Sequence, residues 1–236
     1  MTSDVLADPS TRPASRPRVA GNRLALAGTV VYLLEWVAII GASVQVPIDP
    51  ATTTSLADGY VGKAGDLTFA AGWFALVLVG RLVFVAGVAQ ALRGARTAVT
   101  APRWLVTCSI SAMAVSVAIE VTTYAMTAGI AANATSGAVR DLAVPNAMAW
   151  TLNLLVPAAF GISTVTLAAA MWHSRCFSRV LVVLGLAGGL LMGATALLVT
   201  PSLAGAYAAV LGLGTLLSWI WMLWTGIAVW RAPRPV

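Results

Sequence analysis

Glu35, Arg81 and Glu120 are the residues of this chain whose types and positions could do chemistry. Each lies near the middle of a long apolar segment, and no other charge interrupts those segments. At the centre of a membrane helix a charge costs about 2.5 to 3.5 kcal/mol, so three unpaired charges would cost roughly 8 to 10 kcal/mol. They are expected to face one another or a cavity. Two acids against one base leave an odd carboxyl. Burial disfavours the charged form of a carboxyl and a neighbouring guanidinium favours it, so one glutamate should be ionised against Arg81 while the other holds a proton at neutral pH. Such a division separates acid from base roles in several enzyme sites. Glu35 is the expected partner of Arg81, because their segments form a hairpin and their depths agree better. Glu120 is then the protonated member.

The three share one layer. From offsets to segment centres at about 1.5 Å per residue, Glu35 lies roughly 1.5 Å outward of the midplane, Arg81 roughly 3 Å inward and Glu120 roughly 4.5 Å outward. A forked guanidinium can bridge such offsets and bind a carboxylate bidentately. Around Glu120, the residues Ser109, Ser116, Thr123 and Thr127 recur at helical spacing and form one polar stripe that should face inward, with Tyr124 at its edge. Tyr32 lies one turn from Glu35. Asn153 and Thr164 share a face of the fourth segment, and Thr215, Ser218 and Thr225 do so on the sixth. The plain alternative is that the three charges only lock helix packing.

Elimination narrows the chemistry. The single histidine, His173, lies at a segment end and reads as an interfacial polar residue, so His-based zinc, di-iron and bis-His haem sites are unsupported. There is no Asp-rich pair for magnesium, no nucleotide-binding loop and no buried Ser with His, and no cofactor is expected. What remains is carboxylic-acid chemistry or proton exchange.

The elements that must position these groups follow from composition. Of the 236 residues, 59% are hydrophobic and 9% charged, far below the roughly 25% charge of soluble domains. The expected fold is an all-α integral membrane protein, a six-helix transmembrane bundle with spans at 24-44, 67-91, 104-130, 147-172, 180-199 and 206-230. Residues 1-23 read as a disordered cytoplasmic tail rather than a signal peptide, 24-230 as the transmembrane domain and 231-236 as a second cytoplasmic tail. With six crossings, Arg12, Arg16, Arg18, Arg23, Arg93, Arg96, Arg103, Arg175, Arg179, Arg231 and Arg234 fall on one side and Lys63 and Arg140 on the other. That asymmetry places both termini in the cytoplasm and the protein in the cell membrane as a multi-pass chain. It also explains the net charge of +6 by topology and anionic lipid, with no nucleic-acid partner.

Finer expectations concern the turns and faces. Pro47, Asp49, Pro50 and Gly62 break the chain in an outer loop 45-66, with Asp66 capping the second helix. Pro102 suits the first turn of the third helix, Pro145 precedes the fourth and Pro201 marks the turn to the sixth. Asn133-Ala134-Thr135 in an outer loop matches a glycosylation acceptor. Trp73, Trp104, Trp150, Trp172 and Trp230 read as interfacial anchors, with Trp36, Trp219, Trp221 and Trp224 deeper. Cys108 and Cys176 should be free thiols. Gly185, Gly189 and Gly193 should meet Ala204, Ala208 and Gly212 in a tight hairpin of the last two helices, or could make a homo-oligomer seam. No internal repeat or matched pair of interrupted segments is evident.

Three functions fit. A neutral carboxylic acid could protonate an alkene or epoxide of a lipophilic prenylated substrate, with Tyr32, Trp36, Tyr124, Phe160 and Trp219 lining the site beside Asn153 and their ring faces stabilising a carbocation. The catalytic candidates are Glu120, Glu35 and Arg81. In length, in its almost wholly transmembrane layout from 24 to 230, in lacking metal ligands and in its buried acids, the chain resembles the small bacterial integral-membrane terpene cyclases. The resemblance implies a metal-independent cyclase or isomerase of terpenoid biosynthesis. In similar fungal proteins a second important acid lies late in the chain, whereas the last two segments here have none. The alternatives are a proton-coupled transporter or exporter using Glu120, and a membrane scaffold or accessory subunit.

Overall fold

The computed structural model describes residues 21–42, 56–95, 101–135, 142–199 and 204–232. The tail 1–20, the loop prolines Pro47 and Pro50 with Asp49, the basic residues Arg12, Arg16, Arg18, Arg96, Arg140 and Arg234, and Pro201 lie outside these residues. Every element among the described residues is helical: α1 (Leu24–Leu33), α2 (Glu35–Ala42), α3 (Leu56–Tyr60), α4 (Ala64–Val77), α5 (Val79–Arg93), α6 (Arg103–Thr135), α7 (Ala143–Ser174), α8 (Arg179–Ala194) and α9 (Ala204–Arg231). A 3-10 turn, Thr195–Leu197, ends α8. With few polar side chains, these segments can satisfy their backbone in an apolar surround only by hydrogen-bonding internally, which the helix does.

Five spans are long and apolar enough to cross a membrane: Ala64–Arg93, Arg103–Ala134, Ala143–Ser174, Arg179–Leu197 and Gly205–Arg231. The architecture is compatible with a helical membrane bundle. The first segment differs from the expected single span. Its apolar helix covers Leu24–Val37 and is interrupted at Leu34 between α1 and α2. The second span is interrupted in the same way at Leu78, between α4 and α5. At both places the ladder tightens to three-residue bonds, Leu34 N–H to Val31 O at 3.2 Å and Arg81 N–H to Leu78 O at 3.0 Å. Both breaks are one residue long, keep right-handed helical backbone at Leu34 and Leu78, and lie in the first half of the chain, so they do not form a matched pair across its two halves.

The helices close a ring. α1 packs on α5, α5 on α6, α6 on α7, α7 on α8, α8 on α9, and α9 returns to α1. Glycine permits two of these contacts to be very close. A Cβ on Gly28 would collide with backbone atoms of Phe84 and Gly80, and one on Gly80 with Gly28 and Tyr32, so α1 and α5 run backbone to backbone. On the far side a Cβ on Gly161 would collide with Gly193 and Gly189. The glycine face of α8 is thus turned to α7, not to Ala204, Ala208 and Gly212 as spacing implied. Gly212 and Ala208 are exposed. The α8–α9 hairpin forms instead through Gly188 and Gly214, with the Trp221 indole seated on Gly185.

Several boundaries move outward. α4 begins after Lys63, so Asp66 sits inside its first turn and does not cap it. Pro145 lies within the first turn of α7, where a missing N–H costs nothing. Asn133 is on α6, its amide donating to Gly129 O, so the acceptor triplet is helical and not in a loop. Trp73 lies well inside the second span rather than at its end. Trp104, Trp172 and Trp230 do sit exposed at helix ends. Gly62 takes a positive φ of 78° at the turn into α4. Both cysteines carry free thiols, and burial pushes the Cys176 thiol up.

Candidate functional site

The close approach of α1 and α5 decides where the charges meet. With Gly28 and Gly80 in contact, Tyr32 on the next turn of α1 comes against Arg81 on the next residue of α5. The guanidinium Nη2 donates to the Tyr32 hydroxyl at 2.8 Å, and its carbon stands over the Tyr32 ring 4.3 Å from the centroid. The other nitrogen, Nη1, donates to Glu120 Oε2 on α6 at 2.5 Å. Phe160 of α7 closes a further side, its ring centroid 5.1 Å from the guanidinium carbon. From α9 the Trp219 indole N–H donates to the Tyr32 hydroxyl at 3.0 Å. Side chains from α1, α5, α6, α7 and α9 thus contribute to one cluster around a single cation. Cation–π contacts of this kind reach about 2 kcal/mol when desolvated, and charge-assisted hydrogen bonds are roughly twice as strong as neutral ones.

Glu35 belongs to the cluster at longer range, 3.7 Å from Nη2. The expected pairing is therefore reversed: Glu120 is the tight partner of Arg81 and Glu35 the loose one. The reason is local. Tyr32 occupies the guanidinium nitrogen that Glu35 faces. Beside it, the Leu34 carbonyl accepts from the Trp73 indole N–H at 2.9 Å as well as from Val37 N–H at 3.1 Å. Glu35 and Glu120 are both buried, at 4% and 8% exposure, so neither charge is screened by bulk water.

Comparison with known protein families, with curated proteins and with solved structures found no match. The functional reading therefore rests on this geometry and on the chain's own chemistry.

The structure brings Glu35, Arg81, Glu120, Tyr32, Phe160 and Trp219 together, with Trp36 at the edge. Trp36 is 38% exposed on the bundle's outer surface and meets Trp219 edge to face at 4.9 Å. Tyr124 stacks on Phe74, with centroids 4.0 Å apart and planes 3° from parallel, and lies within electrostatic range of Glu120, Glu35 and Arg81. Asn153 is half-buried on α7 and takes no part in the hydrogen bonds that join the described residues of the cluster. The stripe of α6 faces inward, with Ser109, Ser116, Thr123 and Thr127 all buried. Much of it serves packing. Thr123 and Thr127 return their hydroxyls to carbonyls one turn back, and Ser116 donates to Val156 O on α7 at 3.2 Å.

Two polar contacts escaped sequence reasoning. Ser109 and Ser163 join α6 to α7, with hydroxyls 3.1 Å apart and Ser163 donating to Ser109 O at 2.8 Å. Near the other end, the buried Tyr60 hydroxyl donates to Asn146 Oδ1 at 2.5 Å and ties α3 to α7. A lone Ser or Tyr carries no pattern by itself. The signal that was available is Gly80 and Gly87, two turns apart on the segment that carries Arg81. A Cβ on Gly87 would meet the Ala25 backbone, so this pair marks the α1 seam.

Proposed function

We propose that this is an intramembrane acid/base enzyme acting on a lipophilic substrate, crossing the membrane six times with both termini cytoplasmic. The observation that carries the reading is the asymmetry of the two carboxyls about Arg81. One guanidinium compensates one negative charge, and Glu120 takes it through the short bond. Glu35, at 3.7 Å, is the group left to hold the exchangeable proton. It stands at a helix interruption and next in sequence to Trp36, which reaches the outer surface of the bundle. A prenylated substrate entering sideways from lipid would meet Trp36 and Trp219 first.

The chemistry is redox-neutral. The Glu35 carboxyl gives its proton to one carbon of an alkene, a C–H bond forms as the π bond breaks, and the ring faces of Trp36 and Trp219 stabilise the cation. Loss of a proton from a neighbouring carbon to the Glu35 carboxylate yields an isomer or a ring of unchanged mass. Tyr32 and Phe160 are engaged by Arg81 and hold the cation of the protein rather than that of the substrate. The route proposed for the substrate is lateral, from lipid past the Trp36–Trp219 ring pair that joins α2 to α9.

A specific feature favours proton-coupled transport as the second reading: two buried carboxyls share one cation, so one of them can exchange a proton without leaving Arg81 unpaired. One experiment separates them. Detergent-solubilised wild type and Glu35→Gln are incubated with prenyl alcohols, prenyl arenes and their epoxides, and products are analysed by mass spectrometry with chromatography. An isomer made by wild type and lost in Glu35→Gln supports the enzyme. Substrate uptake into proteoliposomes that depends on a proton gradient, with no product in detergent, replaces it by the carrier.

A further inference from the structure

Among the described residues, the arginines at one end of the bundle make no ion pair with an acid. Glu35 and Glu120 are in the central cluster, and Asp66 lies in the first turn of α4, at the far end of the second span from Arg93. Among the described residues the ion pairs are those of Arg81. Two cavities lie at this end, and each is lined by two arginines drawn from either side of a helix turn. Arg93 and Arg103 line one of about 600 Å³, and Arg175 and Arg179 line one of about 370 Å³.

The second cavity is built in detail. Its remaining lining is Trp172, Phe177 and Val182. Trp172 is exposed at the end of α7, Phe177 is half-buried against the core and Val182 is buried, so the cavity has an apolar floor and an aromatic rim. Arg179 is the first residue of α8, whose N-cap Ser178 accepts from the Leu181 N–H, and the positive end of that helix adds to the field. Arg175 ends α7 in the left-handed conformation at φ 54°, a place ordinarily taken by glycine. Arg175 and Arg179 line the same cavity from the two ends of the turn.

The geometry points to an anionic phospholipid site at the α7–α8 turn, with Arg175 and Arg179 on the headgroup phosphate and Trp172, Phe177 and Val182 against the glycerol and upper acyl chain. Two guanidiniums without an acid partner among the described residues, beside a tryptophan at a helix end and over an apolar floor, match a phosphate attached to hydrocarbon. A free phosphate would use the charges and leave the floor unpaired. Basic pockets between helices at this depth recognise lipid headgroups in this way. The inference does not depend on the reaction assigned to the central cluster.

The test uses the full chain in nanodiscs of phosphatidylcholine containing a minor fraction of phosphatidylglycerol, released into a native mass spectrometer. Wild type should retain phosphatidylglycerol in preference to phosphatidylcholine. The double variant Arg175→Gln, Arg179→Gln should lose that retention roughly tenfold or more, the scale of two headgroup charge contacts. Thermal unfolding in pure phosphatidylcholine, unchanged in the double variant, shows that the fold survives. Arg231→Gln removes a charge at the same end without touching the cavity and should retain lipid as wild type does. Equal loss in Arg231→Gln overturns the site in favour of a diffuse basic surface. Inorganic phosphate bound by wild type in pure phosphatidylcholine, with no preference for phosphatidylglycerol, overturns the lipid in favour of a soluble anion.

Discussion

The two halves of the ring use the same packing device and differ in what they build on it. Around α1 and α5, Gly28 and Gly80 bring backbones together; around α7 and α8, Gly161 and Gly189 do the same. On the first side both helices are interrupted and charges occupy the contact. On the second side α7 runs unbroken from Ala143 to Ser174 even through Pro157, and no charge is present in the buried face. Close packing therefore needs neither an interruption nor a charge. Where they occur together, as at Leu34 beside Glu35 and Leu78 beside Arg81, they mark a site and not merely a seam.

The largest break in this contrast should come from Arg81. Replacing it by leucine leaves Glu35 and Glu120 buried without a cation, and losing one partner of a buried pair costs about 3 to 5 kcal/mol. Arg81→Leu should therefore collapse the yield of monodisperse protein in size-exclusion chromatography. No equivalent substitution exists in the second half, where no buried side chain holds others by charge. A well-folded Arg81→Leu would show that the cluster is dispensable to the fold.

Next in size are the glycines. Gly28→Ala and Gly161→Ala each force a Cβ into backbone, and overpacking costs about 1 to 3 kcal/mol. Both should lower the unfolding temperature. Only Gly28→Ala should also abolish turnover of a substrate found for the wild type, because parting α1 from α5 pulls Tyr32 off Arg81. Gly193→Ala, where a Cβ has open space, is the neutral control. Equal loss of activity in Gly161→Ala would erase the distinction between seam and site.

The two acids sharpen the comparison within the charged half. Glu120→Gln removes the tight partner of Arg81 and should destabilise by about 1.5 to 3 kcal/mol, the worth of a hydrogen bond to a charged group. Glu35→Gln removes a group held at 3.7 Å and should leave unfolding close to wild type while eliminating activity. The reverse order of stabilities would restore Glu35 as the principal partner.

Sequence made the layer legible but not the pairing. Three charges in apolar segments had to converge, and the α6 stripe had to face inward, because the cost of the alternative is several kcal/mol. Which carboxyl lies nearer depends on shifts of two or three ångströms, and those came from features with weak patterns: a tyrosine competing for Nη2 and glycines that set the approach of α1. Tyr124 shows the same limit, since helical spacing put it at the edge of the stripe but did not name Phe74 as the ring it stacks on. The α8 glycines were legible as a close-packing face, yet spacing on α9 named the wrong partner. Small residues permit contact with any helix that approaches, and the approach is decided by the whole ring.

The smallest effect, with a different sign on the two sides, concerns single polar atoms. Trp73 is one of two donors to the Leu34 carbonyl, the other being Val37 N–H at 3.1 Å, so Trp73→Phe removes a single hydrogen bond and should cost about 1 kcal/mol. Across the ring, Thr164 is buried with no partner for its hydroxyl among the described residues. Thr164→Val keeps the shape and removes an unpaired group whose burial is itself unfavourable by about 1 to 3 kcal/mol in protein mutational data. It should therefore be neutral or stabilising in thermal unfolding. A clear loss of stability in Thr164→Val would mean that this hydroxyl is engaged in the native membrane. The uncharged half would then hold a polar site of its own, and the contrast between a catalytic side and a packing side would no longer stand.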